Sequence, residues 1–385
     1  MNAKSIVTRL LDAAGITPNG SAPYDIHVNN EQFYTEALHK GSLGLGESYM
    51  KGYWDSEALD EFFARILSAR LDEKIKRDLG FRMQILLARL FNFQRPDKAV
   101  ENGSRHYDLG NDLFELMLDK RLTYTCAFWE GARNLDEAQE NKLDLTCRKL
   151  NLRPGMHVLD IGCGWGSFAQ FAASKYGVKV TGVTISKEQV ALAKEKCKGL
   201  PVDIRLTDYR ALDEKFDAIV SLGMFEHVGY KNYRTYMEVA HRCLKDNGLF
   251  LLHTIGGNVA NAFTDRWLNK YIFPNAMIPT MGLIGQSFEG LFVMEHWQNF
   301  GVDYDRTLLA WYENVQRNWD RLKSKYDQRF FRMWKYYLLS CAGSFRARTS
   351  QLWQMVLSKE GVPGGYKFKN RATVPGYATV TGNVI

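Results

Sequence analysis

The sequence predicts an α/β protein, with a Rossmann-like parallel sheet covered by helices on both faces and a smaller, mainly helical N-terminal domain. Three observations support this prediction. Apolar strands alternate with helices from residue 156 onward. A glycine-rich loop, GCGWG at residues 162–166, directly follows the first of these strands. The chain has 385 residues, which exceeds the ~150 residues of one typical core and favours two domains.

The sheet elements are short runs separated by turns. The predicted strands are HVLDIG (157–162), VKVTGVTIS (178–186), VDIRL (202–206), FDAIVSLG (216–223) and GLFLLHTIG (248–256). The predicted helices between them are WGSFAQFAASKYG (165–177), KEQVALAKEKC (187–197) and NYRTYMEVAHRCL (232–244). Helices that connect short apolar strands produce a parallel sheet buried on both faces. Because ligands of such sheets bind beyond the carboxyl ends of the strands, we expect the functional residues there.

The composition is that of a soluble globular protein, with 45% hydrophobic and 24% charged residues. No apolar run approaches the ~18 to 20 residues of a membrane span, and the N-terminus lacks the pattern of a signal peptide, so we expect a cytoplasmic protein. A formal charge of +7 favours an anionic partner, either a lipid surface or a nucleic acid.

The cysteines form no CxxC pairs, so we expect reduced thiols and no metal site. They are Cys126, Cys147, Cys163, Cys197, Cys243 and Cys341.

We divide the chain into a helical N-terminal domain (1–94), a polar linker (95–104) and a catalytic domain (105–385) with a tail from about residue 360. The segment DEKIKRDLGFRMQILLARLFNFQR (72–95) has apolar residues three to four apart with basic residues between them, which predicts a basic amphipathic helix. Such a helix either packs on the neighbouring domain or lies on an anionic membrane. The sequence does not decide between these two alternatives. We assign no role to the tail.

The glycine loop has the pattern GxGxG, with Gly162, Gly164 and Gly166 allowing the backbone to approach a ligand, although such a loop is also found as a plain strand-to-helix turn. Asp160 at the strand end favours the ammonium group of an amino-acid-like ligand over a pyrophosphate. Together they resemble the S-adenosylmethionine loop of class I methyltransferases. The second strand ends without the usual acid, where Thr184, Ser186 and Gln189 offer uncharged groups.

Polar residues follow three further strands. Asp208, after the third strand, either accepts a hydrogen bond from an adenine amino group or caps a turn. Glu226 follows the fourth strand, so its position at a carboxyl end favours a functional role. His253, at the end of LFLLH, is either a core histidine or a site residue, and its place beside Glu226 favours the site. His227 is interpreted as structural.

Nine motifs occur in the order typical of cyclopropane-fatty-acyl-phospholipid synthases, and the chain resembles this family from about residue 19 to residue 358. The motifs are HYDLGNDLF, YTCAFW, VLDIGCGWGSFAQF, GVTISKEQ, VSLGMFEHVG, LFLLHTIG, KYIFPN, NFGVDYDRTL and CAGSFRAR. The resemblance implies a class I methyltransferase sheet. It also implies transfer of a methylene group from S-adenosylmethionine to the cis double bond of an acyl chain in a membrane phospholipid.

The resemblance further implies that bicarbonate is bound in the site and deprotonates a carbocation intermediate. Its implied ligands are Glu226, His253, Tyr304 and the backbones of Cys126 and Ile255. Cys341 is interpreted as a site-lining or packing cysteine, since the reaction requires no thiolate. The candidate residues for cofactor binding are Tyr124, Thr125, Asp160, Gly162, Cys163, Gly164, Thr184, Ser186, Gln189, Asp208, Tyr209 and Arg210.

Lipid access requires a membrane contact, because withdrawing ~10 to 15 methylenes into water costs on the order of 10 kcal/mol. We therefore expect a peripheral membrane protein whose partner is a phospholipid, not a nucleic acid, and the resemblance favours a homodimer. The segment at residues 265–285, rich in aromatic residues and methionine, either walls an acyl tunnel or is core. Two other functions stay open: methylation with a different product or substrate, and a sensor that binds S-adenosylmethionine and lipid without catalysis.

Overall fold

The computed structural model describes residues 2–71, 109–259 and 265–368. These residues form two compact units. The first comprises the N-terminal segment to Met117 together with residues 265–276 and 304–351, and the second comprises residues 118–259, 277–303 and 352–368. The predicted amphipathic helix (72–95), the linker (95–104) and most of the tail lie outside the described residues.

The first unit is mainly helical. Its helices are Ala3–Asp12, Gln32–Lys40, Ser42–Met50, Leu59–Ser68, Asn111–Met117, Arg266–Tyr271, Val302–Arg317, Trp319–Leu322 and Gln328–Arg346. A small antiparallel pair, β1 (His27–Val28) and β2 (Trp54–Asp55), joins them.

The helix Gln328–Arg346 packs closely against the helix Leu59–Ser68. A Cβ on Gly343 would lie 2.6 Å from the carbonyl oxygen of Asp60, so only glycine permits this approach. Arg346 forms ion pairs with Asp60 at 2.7 Å and with Asp305 at 2.9 Å. The compact units therefore differ from the predicted domains: residues 304–351, which we assigned to the catalytic domain, cluster with the N-terminal helices because the long helix buries its aromatic face there.

The second unit contains a sheet of seven strands within the described residues, in the order β5-β4-β3-β6-β7-β9-β8. The strands are β3 (His157–Ile161), β4 (Lys179–Thr184), β5 (Val202–Leu206), β6 (Phe216–Leu222), β7 (Leu244–Gly257), β8 (Val293–Asn299) and β9 (Ser350–Ser358). Its helices are Leu135–Lys149, Ser167–Tyr176, Lys187–Lys196, Tyr233–Cys243 and Met281–Phe288.

The predicted parallel sheet is confirmed for β3 to β7, which pair in parallel. Both faces are covered, since Phe250 and Leu252 of β7 belong to one apolar cluster and Leu249 and Leu251 to the other. The antiparallel pair β8 and β9 was not predicted. The sequence of β8, VMEHWQN, mixes polar and apolar residues without a clear alternation, so its pattern does not indicate a strand.

Candidate functional site

A cavity of about 550 Å³ lies at the carboxyl ends of β3, β4, β5 and β6. It occupies the place where parallel sheets of this kind bind their ligands. Of the twelve residues predicted to bind the cofactor, eleven line it: Tyr124, Thr125, Asp160, Gly162, Cys163, Gly164, Thr184, Gln189, Asp208, Tyr209 and Arg210. The structure therefore brings the cofactor-binding candidates together around one cavity, with the exception of Ser186.

Ser186 begins the helix Lys187–Lys196. Its side chain accepts a hydrogen bond from the backbone N–H of Gln189, which satisfies one of the unpaired donors of the first helical turn. Ser186 is not among the residues that line the cavity, and we interpret it as a helix cap. Thr184 does line the cavity, and its hydroxyl lies 2.9 Å from Oε1 of Gln189. The hydrogen bond between these two side chains holds the uncharged end of β4 in place.

The glycine loop has the backbone conformation that requires glycine. Gly162, Gly164 and Gly166 have φ angles of +80°, +53° and +79°. At Gly166, which directly precedes the helix Ser167–Tyr176, a Cβ would lie 3.2 Å from Sγ of Cys197, so the helices approach closely here. At Gly164 no described atom lies within 4 Å of such a Cβ. The loop therefore leaves open space at Gly164, which is one of the residues that line the cavity.

Asp160 places a buried carboxyl group at the end of β3. It is 2% exposed, and its Oδ2 has no hydrogen-bond partner in the described part of the chain. Burial raises the pKa of Asp160 to about 7, and the charge of Lys142 opposes this shift. Lys142 is completely buried, its pKa is lowered by burial to about 8, and its ammonium donates to Thr125 Oγ1 at 2.9 Å. An ammonium group of a ligand would satisfy the unpaired oxygen of Asp160.

Asp208 caps a turn, as one of the two sequence interpretations expected, and it also lines the cavity. Its carboxylate accepts a hydrogen bond from the backbone N–H of Arg210 and pairs with the guanidinium of the same residue at 2.6 Å. The side-chain hydrogen bond with Arg210 lowers the pKa of Asp208. The contacts with Arg210 therefore hold an ionised carboxylate at the cavity wall.

Glu226 lies in a short 3₁₀ turn, Phe225–His227, that follows β6. Its Oε1 accepts a hydrogen bond of 2.6 Å from the backbone N–H of Ile255, and its own backbone carbonyl accepts one from Met277. Burial raises the pKa of Glu226 to about 7, although the Ile255 hydrogen bond opposes that shift. Its Oε2 is buried and has no hydrogen-bond partner among the residues described.

His253 lies near the end of β7, paired in register with Leu222 of β6. It is 1% exposed, and its ring packs edge-on against Phe300 at 5.8 Å. Burial, with smaller contributions from Lys142 and Lys149, holds the pKa of His253 well below its usual range. Nδ1 lies 3.2 Å from Nε2 of Gln354, and Nε2 of the imidazole has no partner in the described chain. The imidazole is therefore neutral, with one nitrogen unsatisfied.

Ile255 and Cys126 were predicted to act through their backbones. The N–H of Ile255 is donated to Glu226, so in this structure that group positions the carboxyl. Cys126 is completely buried, and its thiol donates to the carbonyl of Ala127 at 3.2 Å. It follows Thr125 of the cavity wall, and the thiol itself is turned to the backbone.

Tyr304 and Cys341 belong to the first compact unit. Tyr304, near the start of the helix Val302–Arg317, is buried and stacks on Phe345 with ring centroids 4.6 Å apart. Cys341 lies on the helix Gln328–Arg346, where burial raises the pKa of its thiol to about 12. A thiol with such a pKa is not a nucleophile at neutral pH. The role of both residues in the site stays a prediction.

Sequence reasoning missed the buried polar residues of the helix Leu135–Lys149. This helix presents Gln139, Lys142, Thr146 and Lys149 at a spacing that places them on one face, and all four are completely buried. The sequence LDEAQENKLDLTCRK gives no signal for this burial, because lysine is almost never fully buried and a polar helix is normally assigned to the surface. His227, interpreted from the sequence as structural, lines the cavity.

All six cysteines are free thiols. Within residues 2–71, 109–259 and 265–368, no group of three or more histidine, cysteine, aspartate or glutamate side chains is placed to hold a metal ion. The same residues include no helix that is both long and apolar enough to cross a membrane.

Comparison with known proteins gives consistent matches. The family model of mycolic acid cyclopropane synthetase matches residues 94–355. Cyclopropane-fatty-acyl-phospholipid synthase of Escherichia coli (strain K12) is 54% identical over 362 residues, which cover 94% of each chain. The structure of cyclopropane synthase MmaA2 from Mycobacterium tuberculosis is 33% identical with a TM-score of 0.62, covering 66% of this chain and 96% of that one. The structure of mycolic acid cyclopropane synthase CmaA1 complexed with SAH and CTAB gives the same identity, coverage and TM-score.

Proposed function

This chain belongs to the mycolic acid cyclopropane synthetase family, and we propose that it transfers a methylene group from S-adenosylmethionine to the cis double bond of unsaturated acyl chains in membrane phospholipids. The fold is that of a class I methyltransferase. The substrate is proposed from the 54% identity with the Escherichia coli phospholipid synthase, which extends over 94% of both chains. The product is a phospholipid that carries a cyclopropane ring in its acyl chain.

The cavity at the carboxyl ends of the strands is the proposed binding site of S-adenosylmethionine. This cofactor supplies an electrophilic methyl group on a sulfonium ion. Asp160 would pair with the ammonium of its amino-acid portion, since the carboxyl has an unpaired oxygen at the cavity wall. Asp208, held ionised by Arg210, would accept a hydrogen bond from the adenine amino group, and Thr184 with Gln189 would bind the ribose hydroxyls.

The observation that carries the proposed chemistry is the pair of unsatisfied buried atoms at the ends of β6 and β7. Glu226 Oε2 and His253 Nε2 have no hydrogen-bond partner in the described chain. Buried polar atoms are nearly always hydrogen-bonded, so these two exceptions, one in the turn after β6 and one near the end of β7, support the proposal of a bound polar group. Bicarbonate fits these residues, because a neutral histidine can donate to one of its oxygens and a carboxyl group can share its hydrogen.

Bicarbonate would supply an exchangeable base for the proton that must leave before the ring closes. Glu226 and His253 would hold it, with the N–H of Ile255 acting through its hydrogen bond to Glu226, and the backbone of Cys126 stays a further predicted ligand. Two carboxylate-like anions in contact repel each other, so one of the pair must carry a hydrogen. A pKa of about 7 allows Glu226 to carry that hydrogen near neutral pH. The contribution of Tyr304 to this set stays a prediction from the sequence.

The protein has two further tasks in this reaction. An alkene is a weak nucleophile, so the chain must align the double bond with the sulfonium, and orientation alone can contribute ~7 kcal/mol or more. The carbocation on the acyl chain must also be kept from water until its proton has been removed. The burial of Glu226 and His253 excludes water from the proposed point of proton removal.

We place the enzyme at the membrane surface, as a peripheral protein of the cytoplasmic face and a homodimer. The energetic cost of withdrawing an acyl chain into water requires that the chain pass directly from the bilayer to the protein. The net charge of +7 supports an attraction to anionic lipid. Tyr230 and Met281 of the second unit are 53% and 58% exposed, and both are suited to contact with a lipid surface. Dimerisation is proposed from the family resemblance.

The proposal is tested by incubating the protein with S-adenosylmethionine and liposomes of unsaturated phospholipid, with and without bicarbonate. We expect acyl chains that gain one CH2 and no longer react as alkenes, with release of S-adenosylhomocysteine. A product that gains CH2 but keeps its double bond would identify a methyltransferase with a different outcome. Binding of both ligands without S-adenosylhomocysteine would identify a sensor. Either result contradicts the proposed function.

A further inference from the structure

A buried chain of hydrogen bonds connects Lys149 to His253 through the amide of Gln354. Lys149 Nζ donates to Gln354 Oε1 at 2.8 Å, and Gln354 Nε2 lies 3.2 Å from His253 Nδ1. Lys149 and Gln354 are completely buried. Among the described residues no carboxylate contributes to the pKa of Lys149, and its Nζ is directed to the amide. Burying a lysine costs free energy, and an uncharged side chain would pack at this position at a lower cost. The contact of Lys149 with Gln354 therefore requires an explanation.

Thr146 fixes which end of the amide faces the imidazole. Its hydroxyl donates its single hydrogen to the backbone carbonyl of Lys142 at 2.9 Å. Toward Gln354, 3.3 Å away, that hydroxyl can therefore only accept. The nearby atom of Gln354 must be the NH2 group, which has two hydrogens. One hydrogen goes to Thr146, and the other is directed to Nδ1 of His253.

Lys149 imposes the same orientation from the other end of the amide. An ammonium has three donors and no acceptor, so it requires the carbonyl oxygen of Gln354. Burial lowers the pKa of Lys149 to about 7, so the ammonium and the neutral amine coexist near neutral pH. The orientation that Thr146 imposes on the Gln354 amide does not depend on whether Lys149 is charged. The amide is therefore held in one orientation in both charge states of Lys149.

The tautomer of His253 follows from this orientation. A nitrogen that accepts a hydrogen bond from an amide N–H cannot carry a proton itself, so the proton of the neutral ring lies on Nε2. Nε2 is the atom that has no partner in the described chain. We infer that Gln354, oriented by Thr146 and Lys149, holds His253 as the Nε2–H tautomer, so that His253 acts as a hydrogen-bond donor to the anion of the proposed reaction.

This inference rests on the proposed function and assigns Gln354, Thr146 and Lys149 as positioning residues. It also assigns different roles to His253 and Glu226. His253 would hold the anion and would not accept a proton, because the lone pair of its ring is already used at Nδ1. In the opposite tautomer, an unshared electron pair on Nε2 would face the anion and repel it. Glu226 is then the group that shares a hydrogen with the anion.

The wild-type tautomer can be measured directly. The protein is labelled with ¹⁵N-histidine, and long-range ¹H–¹⁵N correlation spectra at pH 8 distinguish Nε2–H from Nδ1–H rings. The chain has eight histidines, so the signal of His253 is assigned as the one lost in His253→Asn. We expect an Nε2–H ring. An Nδ1–H ring or a doubly protonated ring would overturn the inference.

Gln354→Glu tests whether residue 354 sets the tautomer. The carboxylate keeps the partner of Lys149 but offers His253 an acceptor instead of a donor. We expect a proton on Nδ1 at pH 8 and at least a tenfold rise in the bicarbonate concentration that gives half-maximal activity, with an unchanged KM for S-adenosylmethionine. An Nε2–H ring in this variant, or a changed tautomer with unchanged bicarbonate dependence, would contradict the inference.

Gln351→Glu is the matched control. Gln351 is a 5% exposed glutamine on the same strand, and because it lies three residues away its side chain leaves the opposite face of β9. We expect it to change neither the tautomer nor the bicarbonate dependence. Should Gln354→Glu fail to fold, Lys149→Met tests the other end of the amide, with an expected smaller rise in the same bicarbonate concentration.

The spectra separate this inference from the proposed function. If the protein forms no cyclopropane but His253 is Nε2–H, the proposed function fails and the hydrogen-bond chain stands. If the protein forms cyclopropane and the wild-type ring is Nδ1–H, the proposed function stands and the assignment of Gln354 fails.

Discussion

Glu226 and Ile255 join the ends of two neighbouring parallel strands, because the Glu226 carboxylate accepts a hydrogen bond of 2.6 Å from the backbone N–H of Ile255. This bond holds one carboxyl oxygen and leaves the other buried without a partner in the described chain. His253 lies two residues before Ile255 on β7, so the side chains of His253 and Ile255 leave the same face of the sheet. The backbone bond thereby sets the position of the acid relative to the strand that carries the histidine.

Glu226→Gln should lower kcat by about 100-fold, the size typical of losing a group that transfers or shares a proton. The amide can still accept from Ile255, but it cannot share a proton with a bound anion. The measurement is turnover with S-adenosylmethionine and unsaturated liposomes over a range of bicarbonate concentrations, where added bicarbonate should restore part of the rate. Glu238→Gln is the control, since Glu238 is a half-exposed partner of Arg234. Equal rates in wild type and Glu226→Gln would refute the role of Glu226.

The same substitution should change how stability depends on pH. Burial raises the pKa of Glu226 from 4.5 to about 7, so the folded state holds a proton that the unfolded state has lost in this range. That contribution to stability is complete below pH 4.5 and is lost as the pH rises through about 7. Relative to wild type, Glu226→Gln should therefore gain on the order of 3 kcal/mol in the free energy of unfolding between pH 4.5 and pH 8. Urea unfolding at both pH values measures this difference, and a difference that does not change with pH would contradict the assigned burial.

Lys142→Met should weaken binding of S-adenosylmethionine by about tenfold. The charge of Lys142 opposes the rise in the pKa of Asp160 that burial causes, so its removal leaves Asp160 protonated over a wider pH range. A protonated Asp160 attracts an ammonium less, and the loss should be larger at pH 6.5 than at pH 8.5.

Calorimetric titration at the two pH values measures this effect, with Asp160→Asn and the double variant completing the cycle. Because both changes act on one carboxylate, their effects on binding should be less than additive. Fully additive losses would show that Lys142 acts independently of Asp160.

Gly164→Ala should reduce the affinity for S-adenosylmethionine at least tenfold while lowering stability by only about 1 kcal/mol. The φ angle of +53° strains any side chain, but no described atom lies within 4 Å of the added Cβ, and Gly164 itself lines the cavity. Gly155→Ala is the matched control, with a φ angle of +85°, equally open surroundings and no place in the cavity wall. Gly155→Ala should lose about as much stability as Gly164→Ala and should keep its affinity for S-adenosylmethionine. Loss of affinity in both variants would point to a general effect on the fold.

Binding to phospholipid vesicles should depend on anionic lipid and on salt. The net charge of +7 attracts an anionic surface, and this attraction weakens as the Debye length falls from ~10 Å at 0.1 M salt to ~3 Å at 1 M. Cosedimentation with vesicles of neutral or anionic unsaturated phospholipid measures the bound fraction. Binding that is equal on both vesicles and insensitive to salt would argue against electrostatic docking.

Several features could be predicted from the sequence because they depend on local patterns. Runs such as HVLDIG and FDAIVSLG have the length and composition of buried strands, and the intervening helices imply parallel pairing. The glycine loop was predicted to let the backbone approach a ligand, and Asp160 and Asp208 were placed at strand ends by counting along the chain. Glu226 and His253 were placed at strand ends in the same way, and the family motifs then implied that both hold one bound anion.

The sequence alone determined the parallel strands of the sheet, their ligand-binding edge and most of the residues at that edge. Only the tertiary structure decided how those residues are held: the bond from Ile255 to Glu226, the cap formed by Ser186, and the contact of Lys149 with Gln354 across 205 positions of the chain. The physical reason is that hydrogen-bond partners and burial depend on which distant segments fold together. The pKa values of Glu226 and Asp160, and the tautomer of His253, follow from that three-dimensional environment.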